Sequence, residues 1–233
     1  MNWTDSHNHL QFFPPEEVAK TVAAMAAAGV GRAVVNATSE ADWETVAALA
    51  ERWPERLVPA FGVHPWRAAE VADGWQKRLR EMLERHPLAS VGECGLDRRV
   101  AGQRAVFEDQ LRLARELGRP VTIHCVQAWG ELWDALSAVT PSGNFLMHGY
   151  GGSLEFARRL VPLGAYFSFS PILGGRALSV FKQLPRERLL VESDDRNPAA
   201  LPQTGAALAA ALELTAAEVA GLTHANACVC FGW

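Results

Sequence analysis

Eight short apolar runs alternate with helical patterns along nearly the whole chain, at 3–7, 31–37, 57–63, 88–93, 120–124, 144–148, 165–170 and 188–193. Several are almost continuously apolar, as in Ala33-Val34-Val35 and Leu189-Leu190-Val191, which is the pattern of parallel strands buried on both faces. Between them, Pro14-Pro15-Glu16-Glu17 opens a helix, with proline tolerated and acids favoured in a first turn. Val18, Val22 and Met25 supply its apolar stripe, and Gly29 is a stop. Further helices are expected over 40–52, 74–85, 103–117, 129–137, 154–160 and 177–184. A region at 206–227 holds two helices broken near Thr215.

Eight strand–helix repeats in 233 residues fit one compact (β/α)8 TIM barrel spanning 1–233. An open doubly wound sheet shares this alternation, so periodicity alone does not choose between them. The positions of histidines and carboxylates do. Asp5-Ser6-His7-Asn8-His9, His64, Glu93, His124, His148 and Asp194 follow strands one, three, four, five, six and eight. An open sheet collects ligands at one switch point, whereas a closed ring brings all of these to one mouth, at the carboxyl ends of its strands.

Imidazole and carboxylate are metal ligands. His7 and His9 lie two apart, so an extended segment presents both on one face with Asn8 turned away. With Glu93, His124, His148 and Asp194 the set reaches six, more than one tetrahedral ion needs, and points to two divalent ions sharing a carboxylate. Paired ions of this kind serve phosphoryl and amide hydrolysis. The mixed nitrogen and oxygen donors suit Zn²⁺, Mg²⁺ or Mn²⁺.

Other features narrow the class. A net charge of −4, with no lysine or arginine run, gives no electrostatic platform for long nucleic acid. The N-terminal segment lacks a basic and apolar leader and no apolar stretch approaches membrane-span length, so a cytoplasmic protein without a membrane partner is expected. Four cysteines form no zinc-finger or redox spacing; Cys94 and Cys125 follow Glu93 and His124 and should face the helices as reduced packing residues. Oligomeric state has no signature in this sequence.

The chain resembles the TatD-like metal-dependent hydrolases of the amidohydrolase superfamily. The resemblance rests on Asp5-Ser6-His7-Asn8-His9-Leu10, Gly62-Val63-His64-Pro65, Val91-Gly92-Glu93-Cys94-Gly95-Leu96-Asp97, Phe107…Gln110-Leu111…Ala114, Pro120-Val121-Thr122-Ile123-His124-Cys125, His148-Gly149-Tyr150-Gly151-Gly152 and Leu189-Leu190-Val191-Glu192-Ser193-Asp194. Asn226 and Phe231 match the closing pattern, so the likeness spans essentially the whole chain. It implies a (β/α)8 barrel in which His7, His9 and Asp194 hold one ion, His124 and His148 the other, and Glu93 bridges them. It further implies exonuclease-type cleavage of DNA or RNA ends, with Asp194 and Glu93 as catalytic carboxylates.

The chain departs from the family pattern beside the substrate. Cys125-Val126-Gln127-Ala128 stands where many members carry Cys-Arg-Asp-Ala, Arg98-Arg99 follows Asp97 where an aromatic is common, and Asp195-Arg196 replaces x-Pro. A second substrate class, a small phosphoester, amide, lactone or ester, therefore stays open on the same metal centre. His64, Trp66, Arg98 and Arg196 are the candidate substrate contacts, with Trp66 placed to stack on a base. Glu192 is expected to fix a histidine tautomer, Asp97 to tie down its own loop, and Asp5 either to support His7 or His9 or to make a strand-end hydrogen bond. His86 reads as a helix end and His224 as structural.

Overall fold

The computed structural model describes residues 2–170, 172–194 and 196–233. Eight strands pair in chain order and in parallel: β1 (Trp3–Asn8), β2 (Val30–Asn36), β3 (Leu57–Phe61), β4 (Ser90–Asp97), β5 (Val121–Val126), β6 (Phe145–Met147), β7 (Ala165–Phe169) and β8 (Leu189–Val191). The ring closes between β1 and β8 through a bridge from Asn8 to Asp194, with the Asp194 amide donating to the His7 carbonyl at 3.0 Å. Ser6 Oγ adds a bond to the Val191 carbonyl at 2.9 Å. The expected TIM barrel is the fold, and its last seam is short and made around the residues of the mouth.

Helices α1 (Pro15–Ala27), α2 (Trp43–Arg52), α3 (Trp75–Arg85), α4 (Arg104–Leu117), α5 (Trp129–Ala138), α6 (Leu154–Leu160), α7 (Gly175–Phe181), α8 (Leu201–Leu212) and α9 (Ala216–Phe231) surround the strands. Strand parity sorts the core. Ala33, Val35, Phe145, Met147, Leu189 and Val191 join the large cluster packed against the helices. Their neighbours Val34, Leu146 and Leu190 form a smaller cluster with Ala227, Cys230 and Phe231 from the end of α9. Successive strand residues face opposite ways, so the parity that turns Leu146 and Leu190 into the barrel also aims His148, Glu192 and Asp194 along its axis. The apolar floor thus sets the direction of the polar mouth.

Several boundaries differ from the sequence pattern. The helix expected from residue 40 begins at Trp43, because the Asp42 carboxylate turns back to accept the Thr38 and Ser39 amides at 2.9 and 3.0 Å. β4 runs beyond Glu93 to Asp97, which pairs with Val126. The break expected near Thr215 is present, and there Thr215 and Glu218 form a capping box that starts α9. All four cysteines are free, and Cys94 is buried with its thiol on the Thr122 carbonyl. Among the described residues no single helix is long and apolar enough to cross a membrane.

Candidate metal centre

Glu93 stands at the middle of the mouth with its carboxylate almost wholly buried, and its two oxygens face different sets of imidazoles. Oε2 lies 3.4 Å from His7 Nε2 and 3.2 Å from His9 Nε2. Asp194 Oδ1 completes that side at 3.8 Å from both nitrogens. Oε1 lies 2.8 Å from His124 Nδ1, 2.8 Å from His148 Nε2 and 3.4 Å from His64 Nε2. All six residues singled out as ligands, together with His64, therefore meet at one point although the sequence spreads them over nearly 190 positions.

Neighbouring groups aim these donors. His9 Nδ1 donates to the Asn36 carbonyl at 2.8 Å, which makes Nε2 the nitrogen that faces the mouth. His148 Nδ1 faces the buried Glu192 carboxylate at 3.5 Å, and Ser168 Oγ donates to that carboxylate from the other side. Glu192 therefore stands beside His148 as an ion-pair partner, while neither His148 Nδ1 nor Glu192 Oε1 closes the tautomer-fixing hydrogen bond expected from the sequence. Asp5 does the strand-end work. Its Oδ1 accepts the His7 and Ser193 amides at 3.3 and 3.0 Å, and its Oδ2 accepts Ser193 Oγ at 2.6 Å and Asn8 Nδ2 at 3.2 Å. One carboxylate thereby ties the His-x-His segment to the segment bearing Asp194, whose backbone is left-handed at φ 55°.

The electrostatics of this cluster are those of a cation site. Burial opposes charge on Glu93, yet His148, His7 and His124 outweigh it and hold the carboxyl well below the usual range. Burial and the adjacent His148 push His7 well below an ordinary histidine, and burial lowers His124. On His9 and His148 burial is overcome by Glu93, with Asp194 and Glu192 respectively adding to it; His9 rises to about 9 and His148 well above normal. His7 Nε2 and His9 Nε2 sit 3.1 Å apart, and His124 Nδ1 and His148 Nε2 sit 3.0 Å apart. Buried ring nitrogens this close must have a proton or a cation between them, since two bare electron pairs would repel. Four imidazoles gathered on one ionised carboxylate, with the outer nitrogens of His7, His124 and His148 buried and without a hydrogen bond, form a donor set that would suit divalent ions in place of the protons that His9 and His148 now hold.

Around the centre opens a cavity of about 360 Å³, lined among others by His9, His64, Trp66, Arg67, Arg99 and Asp194. Three of the five exposed large apolar side chains among the described residues, Phe12, Trp66 and Ile172, stand on its rim. The Trp66 indole N–H is pinned by Asp97 Oδ2 at 2.8 Å. Asp97 also accepts the Arg99 amide at 2.9 Å and its guanidinium at 2.6 Å, the loop-tying role read from the sequence. The cations lining the cavity are Arg67 and Arg99. Arg98 is exposed next to it, and Arg196 lines a separate, largely apolar hollow between α7 and α8. Phe12, Ile172 and the Asn36 carbonyl escaped the sequence reading, since a backbone oxygen and a loop apolar residue carry no motif. His224 bonds Thr4 Oγ1 at 2.8 Å and is structural, as expected.

Comparison with known proteins points to one family. A family model described as TatD related DNase matches residues 4–232. The chain is 32% identical over 204 residues to YjjV of Escherichia coli, an uncharacterized metal-dependent hydrolase, covering 82% of this chain and 78% of that protein. The crystal structure of YjjV superposes with a TM-score of 0.90 at 29% identity, over 99% of this chain and 98% of that one. An uncharacterized metal-dependent hydrolase of Mycobacterium tuberculosis, TatD, is 29% identical over 259 residues, covering 98% and 97% of the two chains. The 3'-5' ssDNA/RNA exonuclease TatD of Cronobacter sakazakii is 31% identical over 184 residues, covering 74% and 70%. With a family match over nearly the whole chain and a relative above 30% identity covering 82% of it, the chain belongs to the TatD-related family of metal-dependent hydrolases.

Proposed function

We propose that this chain is a two-metal phosphodiesterase that removes nucleotides from the ends of DNA or RNA single strands. The observation that carries the reading is the division of Glu93, one oxygen toward His7, His9 and Asp194 and the other toward His124 and His148. Those six residues would hold two divalent ions with Glu93 between them. Bound there, Zn²⁺, Mg²⁺ or Mn²⁺ supplies a Lewis acid for a phosphoryl oxygen and acidifies a water molecule to a pKa near ~7. Asp194, just beyond β8, lines the cavity and would orient an attacking water and take up its proton. Glu93 keeps the two halves of the centre at fixed separation. Trp66, held by its edge, offers a ring face to a terminal base, and Arg67 and Arg99 supply positive charge for the adjoining phosphate. The relatives named as 3'-5' ssDNA/RNA exonucleases support this class of substrate.

The size and rim of the cavity favour a second reading. About 360 Å³ accommodates little more than one nucleotide, and its edge is apolar, which also suits a small ester, lactone or amide. End-labelled single strands incubated with Mg²⁺-, Mn²⁺- or Zn²⁺-loaded protein decide between them. Stepwise shortening that disappears in His124→Ala supports the nuclease. Turnover confined to a panel of small esters, lactones and amides would replace it with the second reading.

A further inference from the structure

His64 reaches the same carboxylate as the four other histidines grouped around Glu93, and distance alone would make it a metal ligand with Glu93 and His124. Its outer nitrogen decides otherwise. Pro65 opens the short 3-10 helix Pro65–Glu70 and has no N–H, so the amide of Trp66 is the first donor of that turn needing an acceptor. His64 Nδ1 is that acceptor, at 3.2 Å. A ring nitrogen that accepts an N–H carries its electron pair outward there, so in the neutral ring the proton sits on the other nitrogen. Nε2 of His64 is therefore an N–H directed into the mouth, 3.4 Å from Glu93 Oε1, the reverse of His9, whose Nδ1 proton is held by a carbonyl so that Nε2 is the atom able to ligate.

The surroundings hold this arrangement rigid. The His64 amide donates to the Thr38 carbonyl at 2.8 Å. On the preceding residue, Gln110 clamps both backbone groups of Val63, accepting its amide at 2.7 Å and donating to its carbonyl at 3.1 Å. The ring packs edge-on against His124 at 4.5 Å and Trp66 at 5.0 Å between centroids, and it is 7% exposed, just enough to line the cavity.

We infer that His64 is not a metal ligand but a tautomer-locked hydrogen-bond donor, whose Nε2–H binds the substrate oxygen that gains negative charge during hydrolysis. The inference rests on the proposed hydrolytic centre, and it assigns a catalytic contact that the ligand geometry by itself would misplace. No proton is transferred by His64 in this role. It holds the developing charge in a buried setting, where such donors act most strongly.

Two substitutions separate the roles. In His64→Asn the side-chain oxygen can take over the Trp66 amide, as asparagine does at helix starts, but no donor reaches the Nε2 position. In His64→Gln a terminal amide restores a donor near that position. Metal content should equal wild type in both. On single-stranded oligonucleotides kcat of His64→Asn should fall about 10²–10³-fold with little change in KM, and His64→Gln should recover at least about tenfold of it. Long-range ¹H–¹⁵N correlation on the Zn²⁺-loaded protein should show His64 as the Nε2–H tautomer. An Nδ1–H tautomer, loss of one metal equivalent in His64→Asn, or a His64→Asn kcat within twofold of wild type would each overturn the inference. Wild type that cleaves no nucleic acid would instead remove the nuclease reading, and the tautomer and metal content would still decide the place of His64.

Discussion

Replacing Asp5 by asparagine tests how the mouth is held together, because the change is nearly isosteric and its consequences depend on pH. In the folded protein Asp5 accepts four hydrogen bonds and is fully buried. An asparagine oxygen keeps the two amides of His7 and Ser193, and its Nδ2 can donate to a rotated Ser193 hydroxyl. That Nδ2 then confronts Asn8 Nδ2, donor against donor, and the lost bond with its orphaned partner costs about 1–3 kcal/mol. Opposing this is the charge. Burial, against the pull of the Ser193 and His7 donors, lifts the Asp5 carboxyl to about 7 from an ordinary 3.8. Between those values the folded chain binds a proton that the unfolded chain releases, so this group's stabilising contribution is complete below about pH 4 and is lost as pH rises to about 7. From pH 5 to pH 8 that is a loss of about 3 kcal/mol in wild type, absent from the variant.

Urea unfolding of both proteins at pH 5 and pH 8, with chelator present, reads the difference. Asp5→Asn should be the less stable by about 1–3 kcal/mol at pH 5 and match or exceed wild type at pH 8. An equal deficit at both pH values would refute the raised carboxyl. No deficit at pH 5 would refute the clamp.

Trp66→Ala should raise KM for single-stranded oligonucleotides about 10–100-fold, the range of one lost base stack, while leaving kcat nearly intact; an unchanged KM would remove Trp66 from the substrate surface. Gly205→Ala probes the packing of α8 on β1, since an added Cβ would lie 2.2 Å from the buried Trp3 ring. Overpacking of this kind costs about 1–3 kcal/mol in unfolding experiments, and a neutral result would mean that α8 shifts freely.

The barrel and its six central residues were legible in the sequence because both depend on placement at strand ends. His148 and Asp194 follow runs whose parity is set by Leu146 and Leu190, so once the strands are recognised the direction of the side chains follows. The resemblance of the Gly62–Pro65, Val91–Asp97 and Leu189–Asp194 segments added only an expected division of labour among them, which is part of the proposal. What stayed hidden was what depends on closure. The β1–β8 seam is made by Asp5, Ser6 and the Asn8–Asp194 bridge, contacts 185 or more positions apart that no local pattern encodes. Arg98 and Arg99 cannot be told apart by spacing; Arg99 lines the cavity because Asp97 captures its guanidinium. The partition of His9 and His64 into opposite tautomers hangs on a carbonyl in one case and an amide in the other, and backbone groups have no sequence signature.

The central claim is that two divalent ions sit astride Glu93. Crystals of Mn²⁺-loaded protein measured at the manganese absorption edge test it directly. The account predicts two anomalous peaks, one in contact with His7, His9, Asp194 and Glu93, the other with Glu93, His124 and His148. A single peak, peaks remote from Glu93, or a peak bound by His64 would contradict it.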